Sequence, residues 1–375
     1  MTALETAMWF GLTAVGCIAV VRWPRQVPEF GVLTVYRRGG VIAMPAPGRC
    51  RTEPREDVPS FDAVIVSSAR GADALLRAAL TARNADAPLV VLASGRTDAS
   101  AAARLLRNEV RLVLSTPAEL PEPDFLTFRH PCASTVSDVS RKRNAGLVLA
   151  RLRGWRTVLF LDDDVQAIAS PDLQRAAGLL AGTDRGGAPR RLVGWAFRDF
   201  RDLSTVGHAC WRDPGEPVSF VGGGAMAVNC DDPPPPFPPV YNEDLLVGLA
   251  LLLDDPASVC VTGTLTQDEY RPFDDPARAV SQEFGEVLAE GWSRRPAPEE
   301  LRRAEFWASV LRDRRALVSS ATSDLERRGV SDGVRAMRAV LATHQAGWPQ
   351  LLAGFVQDWT RDTAVWRDFL VALRP

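Results

Sequence analysis

Three adjacent carboxylates, Asp162, Asp163 and Asp164, follow directly on the apolar run 158–161. Like charges at that spacing repel one another and destabilise a fold unless a cation sits among them. Carboxylate oxygens suit Mg²⁺ or Mn²⁺, either of which can tie a diphosphate to protein. A solvated acidic loop is the bland alternative for any acidic run, and placement at the end of a buried strand argues against it. Upstream, SRKRNAGLVLA sets Lys142, Arg143 and Asn144 at the start of a helix, where free N–H groups and the positive end of the dipole favour anions. Downstream, YNEDLLVGLALL sets Glu243 and Asp244 in the first turn of another helix, with Leu245, Leu246, Leu249 and Ala250 behind them. Taken alone, that pair is an ordinary acidic first turn. Between these segments, Gly222, Gly223 and Gly224 allow a substrate close backbone approach, although a glycine-rich turn would read the same way.

The elements that must position these groups alternate. FDAVIVSS is a β-branched run expected as a buried strand, GADALLRAALTARNAD a helix with Leu75, Leu76, Ala79 and Leu80 at helical spacing, and PLVVLASG a second strand closed by glycine. ASAAARLLRN then supplies a helix, VRLVLS a strand, RKRNAGLVLARLRG a helix ending at Gly154, and WRTVLFLDDDV the strand that runs into the carboxylates. Such alternation predicts a mostly parallel sheet with helices on both faces and ligands at the carboxyl ends of the strands. Strands are also expected in RLVGWAF and VSFVGGGAMAVN. Six of the seven residues from Pro233 to Pro239 are proline, which predicts an extended loop, beside a cleft or as a spacer. The last 80 residues read as helical, with Ala304, Trp307 and Leu311 on one face and Val334, Met337 and Val340 on another. Five of the ten tryptophans fall from Trp292 onward, which suits a packed helical appendage first and an aromatic wall for an acceptor or partner second.

KRNAGL, VLFLDDDV, FVGGGAMAVN and YNEDLLVGLAL, in that order over roughly residues 61–278, closely resemble the nucleotide-sugar glycosyltransferases of the GT-A fold, family 2 in particular. The resemblance implies an α/β, Rossmann-like, mostly parallel mixed sheet flanked by helices, here followed by the helical appendage. It also implies a nucleotide-diphosphate-sugar donor, a hydroxyl acceptor and Mg²⁺ or Mn²⁺. Asp162 and Asp164 would hold the metal, and Asp162 and Asp163 would also face the nucleotide sugar. Lys142, Arg143 and Asn144 would meet the nucleotide or its diphosphate. Ser67 and Arg70, at the end of the first strand, would lie near the nucleotide, and Gly223 and Gly224 would line the sugar pocket. Asp244 would be the base that deprotonates the acceptor, supported by Glu243, in an inverting displacement. Ala93 and Ser94 stand where the family often carries an acidic pair that helps read the base. None of His130, His208 and His344 falls where many relatives bring a histidine to the metal, so the resemblance implies either a metal resting on Asp164 and the diphosphate or Gln267 or Asp268 as a stand-in.

Neighbouring chemistries fit less well. Haloacid-dehalogenase-type phosphatases also end a strand in DxD, but Gln166 stands where they carry Thr or Val, and no lysine follows Lys142. A sugar-1-phosphate nucleotidyltransferase would need a glycine-rich first loop, and SSARGADALL carries only Gly71. A non-catalytic nucleotide-sugar-binding protein on the same scaffold is the alternative from another class.

Composition bounds the partners. With 44 basic and 46 acidic residues the formal charge is -2, which removes the electrostatic footprint of a nucleic-acid binder. Lys142 is the single lysine among 43 arginines, a bias expected of a GC-rich genome. The six cysteines form no CxxC pair, so free thiols in a reducing cytoplasm are expected and zinc spacing is absent. The apolar segment from Ala7 to Val21 is short of the roughly 20 residues a span needs, so a buried element is expected and peripheral membrane association is the less favoured reading. The organisation that follows is an N-terminal extension over 1–60, a GT-A domain over 61–290 and a helical region over 291–375.

Overall fold

The computed structural model of the chain describes residues 34–37, 40–43, 60–95, 97–106, 112–115, 120–133, 138–182, 189–197, 204–210, 222–268, 270–294 and 296–373. The segment from Ala7 to Val21 lies outside them. No helix among the described residues is long and apolar enough to cross a membrane.

In chain order the elements are β1 (Thr34–Arg37), β2 (Gly40–Ala43), β3 (Ala63–Ser68), α1 (Leu75–Asn84), β4 (Leu89–Ala93), α2 (Ala99–Leu106), β5 (Leu112–Ser115), α3 (Val139–Arg153), β6 (Thr157–Asp162), α4 (Ser170–Ala181), β7 (Leu192–Phe197), α5 (Thr205–Cys210), β8 (Ala225–Asn229), α6 (Glu243–Asp254) and β9 (Val259–Leu265). Four longer helices follow: α7 (Pro276–Ser293), α8 (Ala304–Arg327), α9 (Ser331–Thr343) and α10 (Trp348–Ala372). The strands form one sheet in the order β2-β1-β5-β4-β3-β6-β8-β7-β9. Strands β5, β4, β3 and β6 are parallel, β8 runs antiparallel between β6 and β7, and β9 is parallel to β7. This is the mostly parallel sheet with helices on both faces that the alternating pattern predicts, and the α/β, Rossmann-like mixed form of it that the resemblance implies.

Side chains alternate across such a sheet, so each strand feeds two cores. Ala63, Ile65, Val158 and Phe160 enter one, together with α3, α6 and α7. Val64, Val66, Leu159 and Leu161 enter the other, with α1, α2 and α4. The first core continues into the C-terminal helices through Trp307, Phe355, Trp359 and Trp366, so these tryptophans are structural members of the sheet's own core. A third cluster joins α5 to α8 and α9 around Val206, Val318 and Met337.

The proline run is a correction to the cleft-side loop expected from sequence. Pro234, Pro236, Phe237 and Pro238 are buried. Proline carbonyls still accept hydrogen bonds although the ring nitrogens donate none. Trp366 Nε1 donates to Pro234 O at 3.2 Å, Trp359 Nε1 to Pro236 O at 2.8 Å and Ser140 Oγ to Pro238 O at 2.7 Å. The segment is clamped between α3 and α10 and leads straight into α6.

Candidate active site

The carboxyl ends of β3 and β6 lie side by side, and the parallel register pairs Ser67 with Asp162. The Asp162 amide donates to Gly224 O at 3.0 Å, which fixes the glycine turn against the same strand end. Apolar side chains from Val158 to Leu161 are buried, so the strand must finish where its acidic residues reach the sheet's rim.

Arg143 joins segments that are far apart in sequence. Its guanidinium, nearly closed off from solvent, donates from Nη2 to Asp162 Oδ1 at 3.1 Å and to Gly223 O at 2.8 Å, and from Nη1 to Glu243 Oε1. A Cβ on Gly223 would lie 2.6 Å from Arg143 Nη2 and 2.7 Å from Asp244 Oδ2, so the glycine is required for this packing. Asp244 therefore sits against the same turn. Gly224 is similarly tight, with the Phe197 ring 2.7 Å from where a Cβ would stand. The glycine segment accommodates the protein's own side chains, a role that the sequence pattern does not distinguish from close approach by substrate.

The charges in this pocket are not balanced. Burial pushes Asp162 up to about 7, against the pull of Arg143 and with added repulsion from Asp164, Asp244 and Asp163. Glu243 is raised for the same leading reason, burial, opposed by Arg143 and reinforced by Asp244. Burial would lower Arg143, but Asp162, Glu243 and Asp244 more than offset that and hold it above the ordinary arginine range. Carboxylates raised by a desolvated, acidic setting beside a specific charge partner make this strand end the candidate functional site.

Asp163 and Asp164 are held by another cation. Arg70, largely exposed, places Nε 3.2 Å from Asp163 Oδ1 and Nη2 2.7 Å from Asp164 Oδ2. Asp163 also accepts from Ser68 Oγ at 2.8 Å, and Ser68 Oγ lies 3.0 Å from Thr97 Oγ1. Asp164 Oδ1 is buried and has no hydrogen-bond partner. An orphaned carboxylate oxygen of that kind fits a divalent cation. Among the described residues no three His, Cys, Asp or Glu side chains converge as a ready ligand set. The protein thus offers Asp164 and Asp162, and Mg²⁺ is commonly bound by one or two carboxylates with phosphates and water completing the shell. Gln267 is bridged to Val165, and its Oε1 is buried without a partner, whereas Asp268 pairs with Arg77 at 2.6 Å.

Two of the basic-helix residues face elsewhere. Lys142 is 1% exposed, its Nζ 2.9 Å from both Ser68 O and Asp138 Oδ1, so it braces the end of β3 beneath the pocket. Asn144 is turned to the proline segment, donating to Phe237 O at 3.0 Å and accepting from Phe237 N at 2.8 Å. Sequence reasoning missed Ser68, Thr97 and Arg77. Small polar residues at a strand end were the available signal for Ser68. Of the histidines, His208 packs on the Tyr270 ring at 5.3 Å and His344 on Glu283, neither in the acidic pocket. Cys132, Cys210, Cys230 and Cys260 are free thiols.

What fold and site define is an α/β sheet whose strand end, together with the first turn of α6, gathers mostly half-buried carboxylates around Arg143 and Arg70. No protein-family model matches the sequence, and no curated protein matches it significantly. Solved structures of glucosyl-3-phosphoglycerate synthase from Mycobacterium tuberculosis are similar in shape. The complex with Mn²⁺, UDP and glucosyl-3-phosphoglycerate is 16% identical, with a TM-score of 0.39 over 60% of this chain and 77% of that one. The complex with Mn²⁺, UDP-glucose and phosphoglyceric acid is 15% identical, with a TM-score of 0.40 over 63% of this chain and 80% of that one. At these values the likeness carries no functional weight.

Proposed function

We propose that the chain is a metal-dependent glycosyltransferase that moves a sugar from a nucleotide-diphosphate donor to an acceptor hydroxyl with inversion. The observation that carries this reading is the convergence on Arg143: the basic helix, the DDD strand end, the glycine turn and the Glu-Asp helix meet at one guanidinium, in the order the family resemblance requires.

Asp244, half-buried beside Gly223, accepts the proton of the acceptor O–H. The freed oxygen forms its bond to the anomeric carbon while the bond to the diphosphate oxygen breaks, and general-base assistance of this kind contributes about 10²- to 10⁴-fold. Glu243 and Arg143 hold the first turn of α6 in place for that transfer. Arg70, exposed and on Asp163 and Asp164, is the cation free to turn toward the leaving diphosphate. A divalent ion held by Asp164 and Asp162 supplies Lewis-acid neutralisation of the leaving group when bound. Lys142 and Asn144 shape the site from beneath.

The test is release of nucleoside diphosphate from a panel of nucleotide sugars with Mn²⁺ and hydroxyl acceptors. Turnover in the wild type that is lost in Asp244→Asn, with nucleotide binding retained, supports transfer. Binding without turnover in either protein would instead favour a non-catalytic binder. Pyrophosphate release from a nucleoside triphosphate and a sugar 1-phosphate would favour nucleotidyl transfer.

A further inference from the structure

The residue immediately before Glu243 is tied to groups that never touch the acidic pocket. Asn242 has φ 64° and ψ 28°, a left-handed conformation that a non-glycine residue adopts at a cost. This torsion sets the direction in which α6 leaves the proline segment, and so where Glu243 and Asp244 point. Its side chain does not cap α6. Instead, Asn242 Nδ2 donates to Glu286 Oε1 at 2.6 Å on α7. Glu286 Oε2 accepts from Arg314 Nη2 at 3.2 Å. Arg314, on α8, also forks Glu283 with contacts of 2.9 and 2.7 Å, and His344 Nε2 lies 2.8 Å from Glu283 Oε1. The side chains of Glu283 and His344 are fully buried. One residue from Glu286, the backbone of α7 presses on the same turn: a Cβ on Gly285 would lie 1.9 Å from Tyr241 O.

We propose that Glu286 is a positioning residue for the Glu243–Asp244 turn, and that the ionic network centred on Arg314 makes the C-terminal helices a rigid mount for it. The inference rests on the transfer reading only for the consequence to catalysis; the mechanical tie stands apart from it. The tie is a side-chain bond between a strained cap and a network anchored on buried Glu283, Arg314 and His344, so loosening it frees the first turn of α6 without opening the sheet. Displacement of a catalytic group by about 1 Å costs on the order of 10²-fold in rate.

Full-length wild type, Asn242→Gly, Glu286→Ala and the double variant decide it. Glycine keeps the left-handed torsion and deletes the bond, and Glu286→Ala deletes the bond from the other side while Glu283 still pairs with Arg314. Hydrogen exchange is read at Leu246, whose amide donates to Asn242 O, and at Val247 and Gly248. The expected result is exchange about tenfold faster at these amides in Glu286→Ala, no further acceleration when Glu286→Ala is added to Asn242→Gly, and unchanged exchange in β6. Unchanged exchange in Glu286→Ala, or additive effects of the two changes, overturns the proposal. On whichever nucleotide sugar the wild type uses, kcat should fall about tenfold or more in Glu286→Ala with donor KM unchanged, and a KM effect alone overturns positioning. Absence of wild-type turnover on every nucleotide sugar defeats the transfer reading, while the exchange data still decide the tie.

Discussion

Two buried ionic clusters lie in one molecule and resolve their charge in opposite ways. Around Glu283 in the helical region, Arg314 and His344 supply hydrogen bonds and opposite charge that overcome burial, and the carboxyl is held below its ordinary range. Around Arg143, burial and neighbouring carboxylates prevail, and Asp162 and Glu243 are pushed up. Both clusters pay desolvation, and each has a buried atom without a partner in it or beside it: His344 Nδ1 in the first, and Asp164 Oδ1 in the Arg70 pair next to the second. The first cluster fastens α7 to α8 and to His344 at the end of α9. The second concentrates like charge at the strand end, a setting that a bound cation would relieve.

The contrast can be broken at several points. Asp244→Asn should lower turnover by about 10²- to 10⁴-fold in a nucleotide-release assay without lowering the unfolding midpoint, because the residue acts on the acceptor proton. Arg143→Ala and Arg314→Ala should each cost about 3–5 kcal/mol in denaturant unfolding, since each leaves buried carboxylates unpaired. Mn²⁺ should recover part of that loss for Arg143→Ala and none for Arg314→Ala; equal recovery would dissolve the distinction between the clusters.

The pH dependence separates them by sign. Asp162 and Glu243 titrate higher folded than unfolded, so the native state binds extra protons between about pH 4 and 8. Their stabilising contribution is complete at the acid end of that window and is lost as pH rises through about 7 for Asp162. Glu283 is lowered, so its contribution is present above the ordinary glutamate value and is lost on acidification. Asp162 keeps 32% of its side-chain surface in solvent, which tempers its share relative to Glu243 at 12%. Asp162→Asn should therefore raise the melting midpoint at pH 8 by about 2 °C, the scale of roughly 1 kcal/mol in a large domain. Glu283→Gln should lower the midpoint at the same pH. Melting curves from pH 5 to 8 check both.

Local pattern carried the sheet and the acidic strand end because both are written in short periods. The run 158–161 followed by three aspartates is a buried strand reaching a rim, and GADALLRAALTARN does form α1, although its buried face is Leu75, Ala78, Ala79 and Ala82 and leaves Leu76 and Leu80 exposed. Helix α4 carries ordinary boundary signals, proline near its start and Gly182 in the left-handed region after it, around a run with little apolar contrast. Strand β9 is hard to read from pattern because Gly263, at φ 59°, interrupts its apolar run. Which of Lys142 and Arg143 reaches the pocket was not legible: neighbours on a helix point about 100° apart, and only tertiary packing turns Arg143 to Asp162 and Lys142 to Ser68 O. The clamps on the proline segment lie 132 residues away in the case of Trp366 and Pro234, a separation at which residue type alone says nothing.

Isothermal titration of the protein with UDP, GDP and ADP at pH 7.5, with and without Mn²⁺, tests the central claim most directly. On the proposed function, the strand-end carboxylates would bind a metal–diphosphate ligand. At least one nucleotide should bind only when Mn²⁺ is present, with that binding lost in Asp164→Asn and kept in Asp244→Asn. Failure of all three nucleotides to bind with Mn²⁺, or equal affinity in Asp164→Asn, would contradict it.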